Sequence, residues 1–451
     1  MIIAWEEELA EPMREFFAVR PPQWPEAEYD PAGWPYVEKV RPQRLFTNLM
    51  SVSVAQHTGD AFSFSVQGVN GGINESWGRG YTSDNPVNGN VDAILRGDNF
   101  QEQWNTALAE DPEIVFVTGW NEWTALKLTA DWAGDTPFWV DTFNTEFSRD
   151  IEMTKTPSYV LNEDGTYAAE GYGDNYYLQL LSNIRAYKGI GLTSENYQES
   201  VSKTIDLNGD DGQWDDVTNT YLNLSEDKIA RDHYGYVKKE EYHYTQAAPD
   251  NFITSIKVTH DSQNLYFRLE TKEAISERDP DAENWMNLLI GIESAGEALP
   301  SWEGFQYIIN RKPESDKQTS LEKVAVDGKY EFAAVSSVSF TVNGNVMQLC
   351  IPRGALGIGE GPFSIRFKAA DSIEHPEDIM DYYVSGDAAP MGRLAYTYAG
   401  MTLAEFEAQQ RGKQEKNTGL SVGEWIAVSA GAVITAACGA LIAIKCRKKK
   451  Q

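Results

Sequence analysis

The chain has 451 residues, enough for two or three domains with real cores, and 12% of them are aromatic. Its 68 acidic side chains outweigh 38 basic ones, for a formal net charge of -30. That balance argues against nucleic acid, because phosphate binding needs a surplus of Lys and Arg, but it selects no function by itself.

Apolar runs alternate with amphipathic stretches over the first 190 residues. Met1–Trp5 reads as a strand and Glu6–Phe17 as a helix. No basic region precedes Met1–Trp5 and three glutamates follow it, so it is a poor signal peptide, and the expectation is a chain that begins inside a longer protein. Ser51–Ala55 reads as a strand ending in Gln56 and His57. Asn99–Ala109 reads as a helix with Phe100, Trp104 and Leu108 on one face. Ile114–Thr118 is a buried-strand run that ends in Gly119-Trp120-Asn121-Glu122-Trp123, and Asn175–Lys188 is again helical. Uninterrupted apolar strands alternating with helices imply a parallel sheet covered by helices. Such folds place their chemistry just after strand C-termini.

The run Gly119-Trp120-Asn121-Glu122-Trp123 closing a strand resembles the Trp-Asn-Glu-Trp signature of glycoside hydrolase family 99, the endo-α-mannosidase-like barrels. Arg149-Asp150-Ile151-Glu152 is similar to the segment that follows the signature in that family, with Met153 in place of Pro. Gly171–Leu178 is similar to the start of the last helix. The resemblance covers residues 1–190 and implies the C-terminal half of a (β/α)8 TIM-type barrel.

Glycoside hydrolysis generally uses two carboxyl groups. Glu122, between two tryptophans of a kind that can raise a carboxyl pKa and stack on sugar faces, is the candidate catalytic carboxylate, with Glu152 as its candidate partner. The family carries its acid/base Glu three positions after the signature Glu, where this chain has Ala125. Hydrolysis and binding without cleavage therefore both stay open. His57, Arg79, Trp120, Asn121, Trp123 and Asp141 are the candidate substrate-binding residues; Arg79 lies with Glu75 in the glycine-rich stretch Asn70–Tyr81. No phosphate-binding glycine motif and no zinc spacing occurs, and His57, His233, His243, His260 and His375 are scattered, so neither a metal nor a cofactor is expected.

From Thr204 onward the pattern changes to short alternating segments between turn residues, as in an antiparallel β-sandwich. Strands are expected at Phe252–Thr259, Asn264–Thr271, Trp285–Ile292, Phe305–Asn310, Lys329–Val335, Val338–Val342, Val346–Ile351 and Phe363–Ala369. The run Ile205–Val217, with Asp206, Asn208, Asp210 and Trp214, followed by Ile256–Val258 and Asp261–Phe267, looks like a family 9 carbohydrate-binding module spanning 200–395. Trp214, Trp285 and Trp302 are either sugar-stacking platforms or core residues. Asp206-x-Asn208-x-Asp210 begins like a calcium loop but has Gly212 one place late and Val217 where a Glu is required, which leaves an acidic turn as the bland reading.

Cys350 lies in an apolar strand, Cys438 and Cys446 near the C-terminus, so no disulfide framework is possible in the large soluble part. Residues 396–424 read as a linker or stalk. Trp425–Ile444 carries no charge and, as a helix, covers roughly 30 Å, one hydrocarbon core. Lys445, Arg447, Lys448, Lys449 and Lys450 form a basic tail at 445–451 that places the preceding chain outside the cell. The sequence thus predicts an incomplete barrel, a β-sandwich and one C-terminal transmembrane helix. It describes a single-pass surface protein, of a Gram-positive bacterium, that hydrolyses or binds a polysaccharide or glycan; the alternative is a non-catalytic carbohydrate-binding or adhesion protein.

Overall fold

The computed structural model describes residues 2–4, 9–24, 27–38, 40–56, 77–121, 127–128, 138–139, 146–154, 171–191, 193, 197–224, 230–234, 243–279, 281–293 and 299–417. They belong to two compact units, residues 1–191 and 192–451.

The first unit opens on a proline-broken stretch. β1 (Ile2–Ile3) pairs in parallel with β2 (Val19–Arg20) across α1 (Glu11–Phe16), and β3 (Pro22–Gln23) pairs in parallel with β4 (Trp34–Pro35). Pro21, Pro22, Pro25, Pro31 and Pro35 remove backbone donors here, so these pairings stay short. The core of the unit is β5 (Leu49–Val52), buried throughout, paired in parallel with β6 (Ile114–Val117). The crossover between them carries α2 (Val91–Arg96) and α3 (Asp98–Glu110), which meet at Gly97 in the left-handed region. Phe100, Trp104 and Ala107, spaced for one helix face, pack with Met50, Val52 and Val54. β7 (Lys127–Leu128) and β8 (Phe138–Trp139) are antiparallel. α4 (Asn175–Tyr187) adds Tyr176 and Leu180 to the core, and Tyr176 donates to the Ile94 carbonyl at 2.5 Å.

This is not the C-terminal half of a (β/α)8 TIM-type barrel. Among the described residues the strands of the unit form four separate two-stranded sheets, whereas a barrel requires one continuous parallel ladder. Among the described residues the strand–helix alternation produces two separate parallel βαβ crossovers, β1–α1–β2 and β5–α3–β6, and the expected strand Met1–Trp5 enters a pairing through Ile2 and Ile3.

The second unit is dominated by a single antiparallel sheet. Its strands are β9 (Thr220–Leu222), β12 (Ile253–His260), β13 (Asn264–Thr271), β14 (Asn287–Ile292), β15 (Tyr307–Pro313), β16 (Gln318–Val324), β17 (Phe332–Asn343), β18 (Val346–Pro352), β19 (Phe363–Asp371), β20 (Asp387–Ala389) and β21 (Tyr396–Gly400). A separate exposed hairpin joins β10 (Arg231–Tyr234) to β11 (His243–Gln246). The order across the large sheet is β20-β19-β14-β15-β16-β17-β18-β13-β12-β9, with β21 beside β20 on the same edge of β19. The sheet curls until its two ends meet. There Tyr221 of β9 donates to the Thr397 carbonyl and Tyr396 of β21 donates to the Leu222 carbonyl, each at 2.8 Å, and the Ile253 amide donates to Asp387 at 2.7 Å. The Tyr221 ring packs edge-on to Phe367 at 4.9 Å. The result is a nearly closed barrel or sandwich filled by Leu265, Phe267, Leu288, Ile290, Leu349, Ile365 and Phe367 among others.

A helix-poor segment covers the outside of β13 and β18. There Ile205, Trp214 and Val217 bury the outward side of Tyr266, and the Trp214 indole N–H donates to the Gln348 side chain at 2.8 Å. Arg268 fastens the same segment by two bonds to Asp211, at 2.9 and 2.8 Å, and these hold the Asp211 carboxyl below its usual range.

The antiparallel sandwich expected over 200–395 is compatible with this unit, with three changes. β16 was not expected, since Gln318-Thr319-Ser320-Leu321-Glu322-Lys323-Val324 offers little apolar signal. The expected segments Lys329–Val335 and Val338–Val342 are one twelve-residue strand with a register shift. Tyr396–Gly400, read as the start of a stalk, pairs with β19. Beyond it, α5 (Leu403–Asn417) stacks Phe406 on Tyr197 at 4.3 Å. The expected transmembrane helix, residues 425–444, lies outside the described residues; among the described residues no helix is long and apolar enough to cross a membrane.

Two predictions follow from this packing. Trp214→Ala removes a buried indole and orphans Gln348, so the unfolding free energy of the second unit should fall by about 3–5 kcal/mol in urea titrations; a loss under about 1 kcal/mol would contradict the covering role of the segment. His260, on the last turn of β12, shares a hydrogen bond of 2.6 Å with the Tyr398 hydroxyl. Burial, helped by Arg353 and opposed by Asp261, lowers its pKa from 6.5 to about 4. As pH falls from about 6.5 to about 4 the unfolded chain takes up a proton that the folded imidazole refuses, so stability is complete above this window and is lost through it. His260→Gln should remove roughly 1–2 kcal/mol of that acid loss, a figure reduced for partial solvent exposure, when unfolding is compared at pH 7 and pH 4.5. An unchanged pH dependence would refute it.

Candidate functional site

The site begins where β6 ends. Thr118 still donates its amide to the Val52 carbonyl at 3.0 Å, and then Gly119 turns the chain out of the strand at φ +75. A side chain at Gly119 is doubly excluded. An L-residue is strained at that φ, and a Cβ would stand 2.2 Å from the Arg149 carbonyl oxygen. The close approach lets the segment Arg149–Glu152 strap across the turn. Ile151 donates its amide to the carbonyls of both Gly119 and Trp120 at 2.9 Å, and Glu152 donates its amide to the Trp120 carbonyl at 2.8 Å.

The strap is supported from beneath. Tyr172 donates its hydroxyl to the Asp150 and Glu152 carbonyls at 2.9 and 3.1 Å. The Arg79 guanidinium lies 4.0 Å over the Tyr172 ring and 4.3 Å over the Tyr176 ring, and it donates to the Asp150 carbonyl at 2.5 Å. Its Nε and Nη1 are buried with no hydrogen-bond partner among the described residues, where two aromatic rings answer its charge. Burial pushes the Tyr176 phenol well above its usual pKa, which keeps it neutral beside that cation. Thr154 accepts from the amides of Tyr172 and Gly173 at 2.7 and 2.8 Å, closing the support.

Above this base stands Trp120, 48% exposed, its ring 6.0 Å from Tyr177 of α4 in an edge-on arrangement. Asn121 and Glu152 beside it are half-buried. The Arg149 side chain leaves the strap sideways, with its guanidinium 5.0 Å over the Tyr36 ring and Nη1 donating to the Tyr36 hydroxyl. An exposed indole on a turn whose neighbouring residues, Asn121 and Glu152, carry an amide and a carboxylate can take a ligand that has both an apolar face and hydroxyl groups.

Of the expected site residues, the structure brings Trp120, Asn121 and Glu152 together. Arg79 is fully buried beneath them and braces the strap, so it is corrected from a substrate contact to a support. Glu122, Trp123, His57 and Asp141 lie outside the described residues, as do Glu75 and Ala125. In the second unit Trp214, Trp285 and Trp302 are all core residues. Trp285 donates its indole N–H to the Ser276 carbonyl at 3.2 Å, and Trp302 packs between Tyr330 and Tyr382. None is a platform. The turn Asp206–Asp210 uses its carboxylates on its own backbone: Asp206 accepts from the Asn208 amide at 3.0 Å and Asp210 from the Gly212 amide at 2.8 Å. Among the described residues no group of three or more His, Cys, Asp and Glu is disposed to hold a metal ion.

Tyr36, Arg149 and Tyr177 were missed as site residues. Tyr177 lies within the segment Gly171–Leu178, which the sequence marks only as the start of a helix, and Arg149 opens the segment read only for Glu152. Tyr36 gave no local signal, since its place depends on a contact 113 residues away. In comparisons with known proteins the chain matches no family model and no curated protein sequence.

Gly119→Ala should cost at least about 2 kcal/mol, because the new Cβ must push the Arg149 carbonyl away at a strained φ. The same variant should make the Trp120 fluorescence more solvent-exposed in quenching experiments. Wild-type stability and quenching would mean that the strap does not depend on this approach.

Proposed function

We propose that the protein binds a neutral glycan at the surface formed by Trp120, Asn121 and Glu152 in its first unit. The observation that carries this reading is the half-exposed Trp120 indole, fixed by Tyr177 and by the backbone bonds from Ile151 and Glu152, with hydrogen-bonding side chains beside it. The apolar C–H face of a pyranose stacks on such an indole while its hydroxyls bond the amide and carboxylate, and a pre-fixed ring loses little entropy on binding. The net charge of -30 disfavours phosphorylated ligands, which agrees with an uncharged one. The likeness of Gly119–Trp123 to the signature of glycoside hydrolase family 99 supports the same ligand class. Recognition without cleavage is the form of the proposal, since Ala125 stands where that family carries its acid/base Glu and the described strands of the first unit form no continuous barrel ladder.

Affinity electrophoresis through gels containing yeast α-mannan, xylan or barley β-glucan tests this. The wild-type protein should be retarded by at least one of the three, and Trp120→Ala should weaken that retardation by about tenfold or more, the equivalent of about 1.4 kcal/mol. No new reducing ends should accumulate. Retardation by none of the polymers, or an unaffected Trp120→Ala variant, would overturn the proposal, and a steady release of reducing ends would replace binding with hydrolysis.

A further inference from the structure

The aromatic surface does not end at Trp120. Tyr36, 38% exposed, receives the Arg149 guanidinium on its ring, and the Arg149 backbone is the same strap that is locked to Gly119 and Trp120. On from Tyr36 lies Trp24, 61% exposed, with ring centroids 6.2 Å apart. Trp24, Tyr36 and the Arg149 guanidinium therefore form one run of contacts, and the backbone strap that carries Arg149 is hydrogen-bonded to the turn that carries Trp120.

The outer part of this run is built rather than incidental. The buried Gln23 side chain ties down the loop that carries Trp24: its amide donates to the carbonyls of Trp24, Ala27 and Glu28 at 3.1, 3.4 and 3.2 Å, and its oxygen accepts from the Asp30 amide at 3.1 Å. Gly33 sits so close to Gln23 that a Cβ there would lie 2.9 Å from the Gln23 Cβ. Trp34, between the two exposed rings in sequence, turns the other way and packs on Phe116 of β6 at 5.0 Å, pinning the loop to the strand that ends in the Trp120 turn. Two large aromatic rings are thus held out into solvent by a loop tied down through Gln23 and Trp34. A purely apolar partner would gain nothing from the guanidinium between them, whereas a chain of sugars presents alternating apolar faces and hydroxyl rims.

We infer that Trp24 and Tyr36 are outer subsites for an extended oligosaccharide whose other end occupies Trp120. This rests on the glycan-binding reading of Trp120. It names the ligand as a chain of several sugar residues rather than a terminal monosaccharide.

The test is isothermal titration of the full chain with α-mannooligosaccharides, xylooligosaccharides and cellooligosaccharides, each series running from disaccharide to hexasaccharide. In the series that binds, wild-type affinity should climb with length. Trp24→Ala should lose about tenfold for the hexasaccharide and less than about twofold for the disaccharide, and Tyr36→Ala should repeat that split. Thermal melting identical to wild type would show that the exposed-ring variants remain folded. If Trp24→Ala and Tyr36→Ala bind the hexasaccharide as wild type does while Trp120→Ala abolishes binding, the outer subsites are refuted and the Trp120 reading stands. If no series binds, or if Trp120→Ala is also silent, both fall.

Discussion

A carbonyl oxygen pressed against a backbone with no side chain governs the surface of the first unit. Because Gly119 has no Cβ and accepts a positive φ, the Arg149 carbonyl can come close enough for Ile151 and Glu152 to donate across the turn. That geometry decides three things at once. It sends the chain out of β6 so that the next side chain, Trp120, faces solvent. It brings Glu152 to that indole from thirty residues further along the chain. It also leaves the Arg149 side chain pointing toward Tyr36, which connects the turn to the proline-rich loop.

What lies under the turn is a charge held without a carboxylate among its described hydrogen-bond partners. Arg79 lies over the rings of Tyr172 and Tyr176, which meet edge-on at 4.8 Å, and donates to a backbone carbonyl. Burying a guanidinium is costly unless its surroundings answer its charge, and here two ring faces do so. The same rings belong to the first turn of α4 and the segment before it, so the support of the strap and the packing of the helix on β5 and α3 are one arrangement. A change at Tyr172 would be felt at both.

The second unit directs its aromatic residues inward. Its sheet curls on itself and is joined at the seam by paired tyrosine hydroxyls instead of a strand ladder, with Tyr221, Tyr396 and Phe367 filling the angle. Polar groups at the margin are answered in place: Asp371 accepts from Met286, Asn251 and Ser372, although burial still pushes its carboxyl above the usual range. With Trp214, Trp285 and Trp302 all in the interior, the half-exposed tryptophans argued here for glycan contact, Trp24 and Trp120, belong to the first unit.

The sequence by itself determined the local elements with strong periodicity. The 3.6-residue spacing of Phe100, Trp104 and Leu108 pointed to α3, where the structure buries Ala107 with the two aromatics; the continuous apolar run Ile114–Thr118 pointed to β6, and the patterns in Phe252–Thr259 and Asn264–Thr271 pointed to the hairpin that centres the second unit. It also singled out Gly119–Glu122 as the end of a strand with unusual chemistry. Only the tertiary structure decided how many strands join each sheet, because a ladder is made of backbone bonds that carry no residue identity; the prolines of residues 21–35 keep the pairing of β3 with β4 to two residues. It alone decided that Arg79 is a support and Trp214 a core residue, since burial depends on what arrives from elsewhere in the chain. And it alone joined Tyr36 to Arg149, a contact between side chains with nothing in common except where the fold puts them.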